Sequence, residues 1–234
     1  MNILAFDTST LRASLALRGR DGEIWTSSTD PAQRHGRLLL PTIQALLDEA
    51  GLRANELNAI AVGVGPGSYT GLRVGVVAAK TLAYATGAQL LALDSLEFFA
   101  RSAPSLAGRL SILIDAQRGD FHVADYDRGR IDLPLRQQGP TRLVSGEALA
   151  TSWKPHQRIG GPGVTAWKYP WPSEAQVLGA DLSNPQVLLT MTDEAIEEGR
   201  LADPYTLEPG YFRESSAEQL WRARETASPR SAGE

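Results

Sequence analysis

The 234-residue chain has no cysteine, and histidine and methionine are rare, at three and two residues. Without cysteine, disulfides, thiolate nucleophiles and Cys-ligated zinc or iron–sulfur centres are excluded. His35, His122 and His156 include no i, i+4 pair, so a helical two-histidine metal site is excluded too. Each is expected to be a surface or loop residue rather than a ligand. No run approaches the roughly 20 apolar residues that cross a bilayer. The start, Met1-Asn2-Ile3-Leu4-Ala5-Phe6-Asp7, has no basic beginning or long apolar core and is not expected to be a signal peptide. A cytoplasmic protein with no membrane contact is the expectation. The net charge of −4 also lacks the basic excess of a stand-alone nucleic-acid binder, and lysine occurs only at Lys80, Lys154 and Lys168. What is present is ordinary for a packed globular chain: 42% hydrophobic and 21% charged residues, enough for one large domain or two small ones.

Hydrophobic spacing gives the element order. Three short runs over 2–7, 13–17 and 23–28, separated by turn-prone residues, predict an antiparallel meander. Leu39, Ile43, Leu46 and Ala50 then recur at helical spacing, widened by Leu40 and Leu47, with Pro41 near the start and Gly51 as the stop. A buried strand over 58–64, a helix over 70–86 ended by Gly87, a strand over 90–93 and a helix over 95–101 complete a β-β-β-α-β-α-β-α half. Ala103-Pro104-Ser105 is the expected boundary. The second half repeats the theme: strands over 110–114 and 121–126, a weaker one over 131–135, a helix over 145–151, strands ending at Ile159 and over 175–178, and a helix over 185–198. The stretch 154–172, rich in Pro, Gly and Trp, reads as loop. The shared order predicts an internal duplication in an α/β protein.

The densest chemical signal is Gly63-Val64-Gly65-Pro66-Gly67-Ser68-Tyr69-Thr70-Gly71-Leu72-Arg73-Val74-Gly75, between a strand and a helix. It is not a P-loop, because Lys80-Thr81 follows Ala79 in mid-helix. It is not a dinucleotide fingerprint, because Thr70 stands where the third glycine belongs. Nor is it a nucleophile elbow, because Pro66 replaces the first glycine. Two readings stay open: a phosphate-binding loop formed by Gly65, Gly67 and Ser68 with Asp7, Thr8 and Ser9, or a tight turn with no ligand. Asp115 and Gly160-Gly161-Pro162-Gly163 are comparable strand-end features, placed where α/β proteins bind ligands. On the following helix Gly71, Gly75, Ala79 and Ala83 form a stripe of small residues, and most of the remaining circumference is apolar. A helix apolar almost all round must be buried on nearly every side. The expectation is an intermolecular contact made by Leu39, Leu40, Ile43, Leu46 and Leu47 of one helix with Gly71, Leu72, Arg73, Gly75, Val76, Ala79 and Ala83 of the next. The alternative is that the pair covers itself within the chain.

Ile3-Leu4-Ala5-Phe6-Asp7-Thr8-Ser9-Thr10, the block Gly65 to Gly75, Ile114-Asp115-Ala116-Gln117-Arg118-Gly119-Asp120 and Pro209-Gly210-Tyr211-Phe212-Arg213 together resemble the bacterial TsaB (YeaZ) family. The resemblance implies an actin-like (ASKHA) α/β fold of two RNase H-like subdomains with mixed sheets, over 1–103 and 104–213, with a polar tail over 214–234. It implies a non-catalytic subunit in threonylcarbamoylation of adenosine 37 of tRNAs reading codons that begin with A. Its partners would be a TsaD-type catalytic paralogue and a TsaE-type ATPase, with a homodimer in isolation and tRNA met only within the complex. No metal and no required cofactor are implied, with weak ATP or ADP binding at the partner interface. The paralogue's His-x-x-x-His metal pair would fall at Ser95 and Phe99 here, and the Asp-x-Gly of an actin-like ATPase at Asp115-Ala116-Gln117; neither replacement can do the original's work. The rival expectations are a metallo- or glycoprotease-like hydrolase, for which the sequence offers no nucleophile–base or metal centre, and an autonomous small-molecule kinase.

Overall fold

A computed structural model of the chain describes residues 1–29, 35–154 and 156–210. Tyr211, Phe212, Arg213 and the expected tail over 214–234 lie outside the described residues. The meander forms as expected: β1 (Ile3–Asp7), β2 (Ser14–Arg18) and β3 (Ile24–Ser28) pair antiparallel, and β4 (Ala59–Gly63) and β5 (Gln89–Leu93) add in parallel beyond β1. β1 is therefore interior to the sheet, and all five of its residues are buried. Its side chains alternate between two layers, as the strand period requires. Leu4 and Phe6 point with Leu15, Leu17, Ile60 and Val62 toward α1 (His35–Glu49) and α2 (Tyr69–Thr86). Pro41 lies at the seventh position of α1 rather than near its start. Both Pro41 and Arg37, whose carbonyl loses its i+4 donor, are exposed, so the missing bond falls on the solvent side.

The second sheet repeats the first. β6 (Gly108–Asp115) and β7 (Asp120–Arg128) pair antiparallel, with β8 (Arg136–Gln137) and β9 (Arg142–Ser145) on the far side of β7. β10 (Arg158–Gly160) and β11 (Gln176–Gly179) add in parallel beyond β6. Each sheet thus has an antiparallel meander with two parallel strands added beside its first strand, the RNase H-like order, and the duplication is real. The third strand expected over 131–135 is absent: these residues turn, and Pro134 has no N–H to donate. Its place against β7 is shared by β8 and β9.

The division expected at 103/104 separates the two sheets but not the packing. α3 (Ser95–Ser102) lies on β6 and β7, whereas α5 (Pro185–Glu197) crosses back to lie on β1, β2, β3 and β5. β12 (Leu201–Ala202) then pairs antiparallel with β5 at the edge of the first sheet. The reason is the inner face of that sheet, where Ala5, Ala16, Ala59 and Ala61 leave a shallow apolar surface that must be covered. α5 covers it with Leu188, Leu189, Met191 and Ala195, in one cluster that also holds Phe98, Ile112, Ile114 and Tyr126 of the other half. Arg18 grips Asp193 through two bonds of 2.7 and 2.6 Å, and Arg101 bridges Glu97 and Glu194. These half-exposed pairs orient α5 more than they stabilise it. Outside the second sheet, α4 (Gly146–Ser152) and a 3-10 turn, Pro162–Ala166, pack beside Trp153, Trp167 and Trp171; Trp167 stacks on Trp171 at 5.0 Å between centroids. The stretch read as loop therefore supplies β10 and the aromatic cover of this sheet.

Candidate functional site

The loops that follow β1, β4, β6 and β10 open into one cleft of about 430 Å³ between the halves, lined among others by Ser9, Ser68, Phe99, Asp115, Pro162 and Asp181. The strand-end signals of both halves therefore converge in space, at the carboxyl ends of parallel strands. The first loop is not open, however. Asp7 is 1% exposed; its Oδ1 accepts from the Ser9 N–H at 2.8 Å and the Ser9 hydroxyl at 2.5 Å, and its Oδ2 accepts from the Ser95 hydroxyl at 2.5 Å. The Ser95 N–H donates to Gly65 O at 3.0 Å, and Ser95 Oγ accepts from the Gly65 N–H at 3.1 Å. The Thr8 hydroxyl donates to Gly71 O at 2.8 Å. Asp7, Thr8, Ser9, Gly65, Gly67 and Ser68 are brought together, but into a knot that satisfies itself.

An actin-like fold implies a nucleotide in such a cleft, and this chain's residues do not fit its phosphates. A phosphate cradle needs unspent N–H groups at the helix start. Here the Ser68 N–H donates to Ser9 O at 2.6 Å and the Gly71 N–H to Ser68 Oγ at 3.2 Å. A Cβ added at Gly67 would overlap the Ser9 backbone, so no room is left between the loops. The cleft also carries the carboxylates of Asp115 and Asp181, against which its lining offers Arg12. Asp115 Oδ1 accepts from the Gln117 N–H at 2.7 Å, which makes the second loop a local turn rather than a phosphate arm. At the positions that the paralogue would give to metal ligands, Ser95 serves Asp7, and Phe99 is buried in the core. Among the described residues no group of three His, Cys, Asp or Glu side chains is placed to hold a metal ion. His122, expected as a surface or loop residue, is buried on β7, where the run from Phe121 to Ala124 is covered on both faces of the sheet.

Asp94 escaped the sequence reading, as did the part that Ser95 plays. Asp94 caps α3, accepting from the Glu97 N–H at 2.8 Å, and Ser95 links that helix to Asp7. The signal was available, since Asp94 followed by Glu97 three residues on is a helix-start pattern. Burial raises the Asp94 carboxyl to about 6, and the neighbouring charges of Glu97 and Asp7 push the same way. Its folded pKa thus lies above the unfolded value, so the native state holds the extra proton between roughly pH 4 and 6, and stability falls as pH rises through that window. Asp94→Asn keeps a capping oxygen and removes the charge. It is expected to stabilise the chain by on the order of 1–2 kcal/mol at pH 8 and by nothing at pH 4, measured by urea titration at both pH values.

The small-residue stripe of α2 is filled from within the chain. Gly71, Leu72, Gly75, Val76, Ala79 and Ala83 are all buried, as are Leu39, Ile43, Leu46 and Leu47 of α1. A Cβ at Gly71 would overlap Thr8 O, and one at Gly75 would overlap Thr8 Oγ1. The neighbour that Gly71 and Gly75 admit within the chain is Thr8 of the β1–β2 turn. Of the twelve expected contact residues, Leu40 and Arg73 remain exposed. On α2, Arg73 shares its side with Val77, 61% exposed, and Tyr84, 68% exposed and edge-on to Tyr205 at 5.7 Å; on α1, Leu40 is 58% exposed. The Arg73 guanidinium lies 4.4 Å from the centre of the Tyr69 ring. The Lys80 ammonium donates to Leu207 O at 2.9 Å and so pins the returning chain onto α2.

No helix of the described residues is long and apolar enough to cross a membrane. The family model described as TsaD, tRNA N6-adenosine threonylcarbamoyltransferase, matches residues 29–135. The chain is 30% identical to the tRNA threonylcarbamoyladenosine biosynthesis protein TsaB of Bacillus subtilis, over 94% of this chain and 98% of that protein. It is 29% identical to the TsaB of Escherichia coli, over 93% of this chain and 96% of that one. The solved structure of YeaZ from Pseudomonas aeruginosa superposes with a TM-score of 0.75 at 28% identity, covering 90% of this chain and 99% of that chain. With the loop signature, the doubled sheet order and nearly the whole length held in common, the chain belongs to the TsaB (YeaZ) family.

Proposed function

We propose that this chain is a subunit of the machinery that makes threonylcarbamoyladenosine in tRNA, and that it acts by docking onto a TsaD-type catalytic paralogue rather than by catalysing the transfer. The observation that carries the docking is the exposed apolar side chains of the two helices, Leu40 on α1 and Val77 and Tyr84 on α2, the latter pair on the side of the helix that carries Arg73. Apolar side chains gathered on one face of a soluble protein favour association. The TsaD family model matches 29–135, a stretch that includes both helices, which supports a partner presenting an equivalent pair. The same face serves a homodimer when the paralogue is missing. A TsaE-type ATPase joins the pair, and tRNA is met within the assembly. The chain needs no cofactor of its own. Because its own loops are closed, ATP or ADP at the shared edge is held by the partner's phosphate loops. The hydrolase and kinase readings gain no support from the described residues, since Asp7 and Ser95 are committed to each other and the cleft offers no phosphate cradle.

Val77→Glu and Arg73→Glu place a carboxylate on this face without touching the core. Each is expected to weaken binding to the paralogue by tenfold or more in calorimetry, while the urea midpoint of the isolated chain stays put. Modification of a tRNA transcript by paralogue and ATPase should need the wild-type chain and be lost with either variant. Full modification in its absence would overturn the reading.

A further inference from the structure

At the opposite end of β6 from the cleft, a second cavity of about 400 Å³ opens under α4. It is lined by three cations, Arg109, Arg142 and Lys154, and by one carboxylate, Asp125. That carboxylate is already committed: one oxygen accepts from the Ser111 hydroxyl, and the other from Arg142 Nη2 at 2.5 Å. Arg109 and Lys154 have no ion-pair partner among the described residues. Ser111 is fully buried, and its Oγ also accepts from Gln157 Nε2, so Gln157, Ser111, Asp125 and Arg142 form one hydrogen-bonded floor. The side of the strand that carries Leu113 and Val123 farther along is apolar. A polar chain in such a setting is expensive unless every member is satisfied, and it holds its members in fixed positions. Trp153 adds an aromatic wall, held edge-on against Trp167 at 5.8 Å between centroids. Two exposed cations without an ion-pair partner among the described residues, beside an aromatic side chain, call for an anion rich in acceptor oxygens and attached to a ring. A phosphate ester of a nucleotide has that form. In a chain of net charge −4 this local surplus of cations is not a reflection of composition.

We propose that the cavity receives a backbone phosphate of the tRNA, with Arg109 and Lys154 neutralising it and Trp153 lying against the neighbouring ribose or base. The proposal rests on the reading of the preceding section and extends it by giving this chain its own contact with the RNA, on the face of the molecule opposite α1 and α2. The test uses the full chain assembled with its paralogue and an unmodified tRNA transcript, comparing wild type with the double variant Arg109→Gln, Lys154→Gln. Both side chains are exposed, so the variant is expected to melt with the wild type. The expected result is a tenfold or greater loss of tRNA affinity near 0.15 M salt, with the slope of log affinity against log salt reduced by about 1–2. Unchanged affinity and slope, with binding to the paralogue intact, would overturn the proposal and leave the subunit reading standing. Failure of the wild-type chain to bind the paralogue would sink that reading instead. AMP is the control ligand: a variant that loses AMP binding but keeps tRNA binding assigns the cavity to free nucleotides, and the RNA contact is then wrong.

Discussion

Gly71→Ala and Gly75→Leu are expected to fail as isolated proteins, before any partner is added. At both positions the added carbon meets Thr8, at its backbone oxygen for Gly71 and its hydroxyl for Gly75, and Thr8 is itself fully buried and bonded to Gly71 O. Neither group can retreat, because the β1–β2 turn is held by Asp7 on one side and by Ser68 on the other. Overpacking of this kind costs about 3 kcal/mol for the alanine and more for the leucine, a large part of a marginal total. Urea unfolding followed by tryptophan fluorescence would read it directly. Val77→Glu, on the exposed side of the same helix, is the control and should unfold with the wild type. A Gly75→Leu protein of normal stability that no longer bound the paralogue would restore the stripe as a docking groove.

Asp7→Ala carries the second large effect. Its carboxylate accepts from the Ser9 N–H, the Ser9 hydroxyl and the Ser95 hydroxyl in a site closed to water. Removing it strands three buried donors and uncouples β1 from α3. The expected loss is on the order of 3 kcal/mol or more, with Ser95→Ala costing about 1–2 kcal/mol through the Gly65 N–H that it leaves without an acceptor. The direction discriminates between roles. If Asp7 were kept for a metal or phosphate, its charge would be a burden on the empty protein, and removing it would raise the urea midpoint. A midpoint that rises in Asp7→Ala would therefore return this loop to ligand binding.

Periodicity carried the reading of the fold a long way. The β1–β3 meander, α1, α2 and the repeated order of the second half follow from alternation and from stops such as Gly87, which ends α2 in the left-handed region at φ +73. What periodicity could not carry was the identity of each neighbour. The stripe Gly71, Gly75, Ala79 and Ala83 announces a close approach, but nothing in its spacing says whether a foreign helix or Thr8 makes it. The loop Asp7-Thr8-Ser9 announces a cluster of acceptors and hydroxyls, yet whether they turn outward to a ligand or inward to one another depends on Ser95, 88 residues away. The same limit hid the return of α5. Its amphipathic pattern is plain, but the face awaiting it is the alanine side of a sheet that ended nearly 100 residues earlier. Two-residue strands such as β12 and β8 are too short to show a period at all.

The crossing of α5 has a consequence for how the molecule is made. During synthesis the first sheet leaves the ribosome with Ala5, Ala16, Ala59 and Ala61 bare, and its lid is not translated until Pro185–Glu197 emerges. The amino-terminal half therefore has to wait, partly assembled, until the segment Pro185–Glu197 has been made. A truncated product ending before that helix would expose the inner sheet to chaperones and proteases, and so never compete with the finished subunit for its place in the complex.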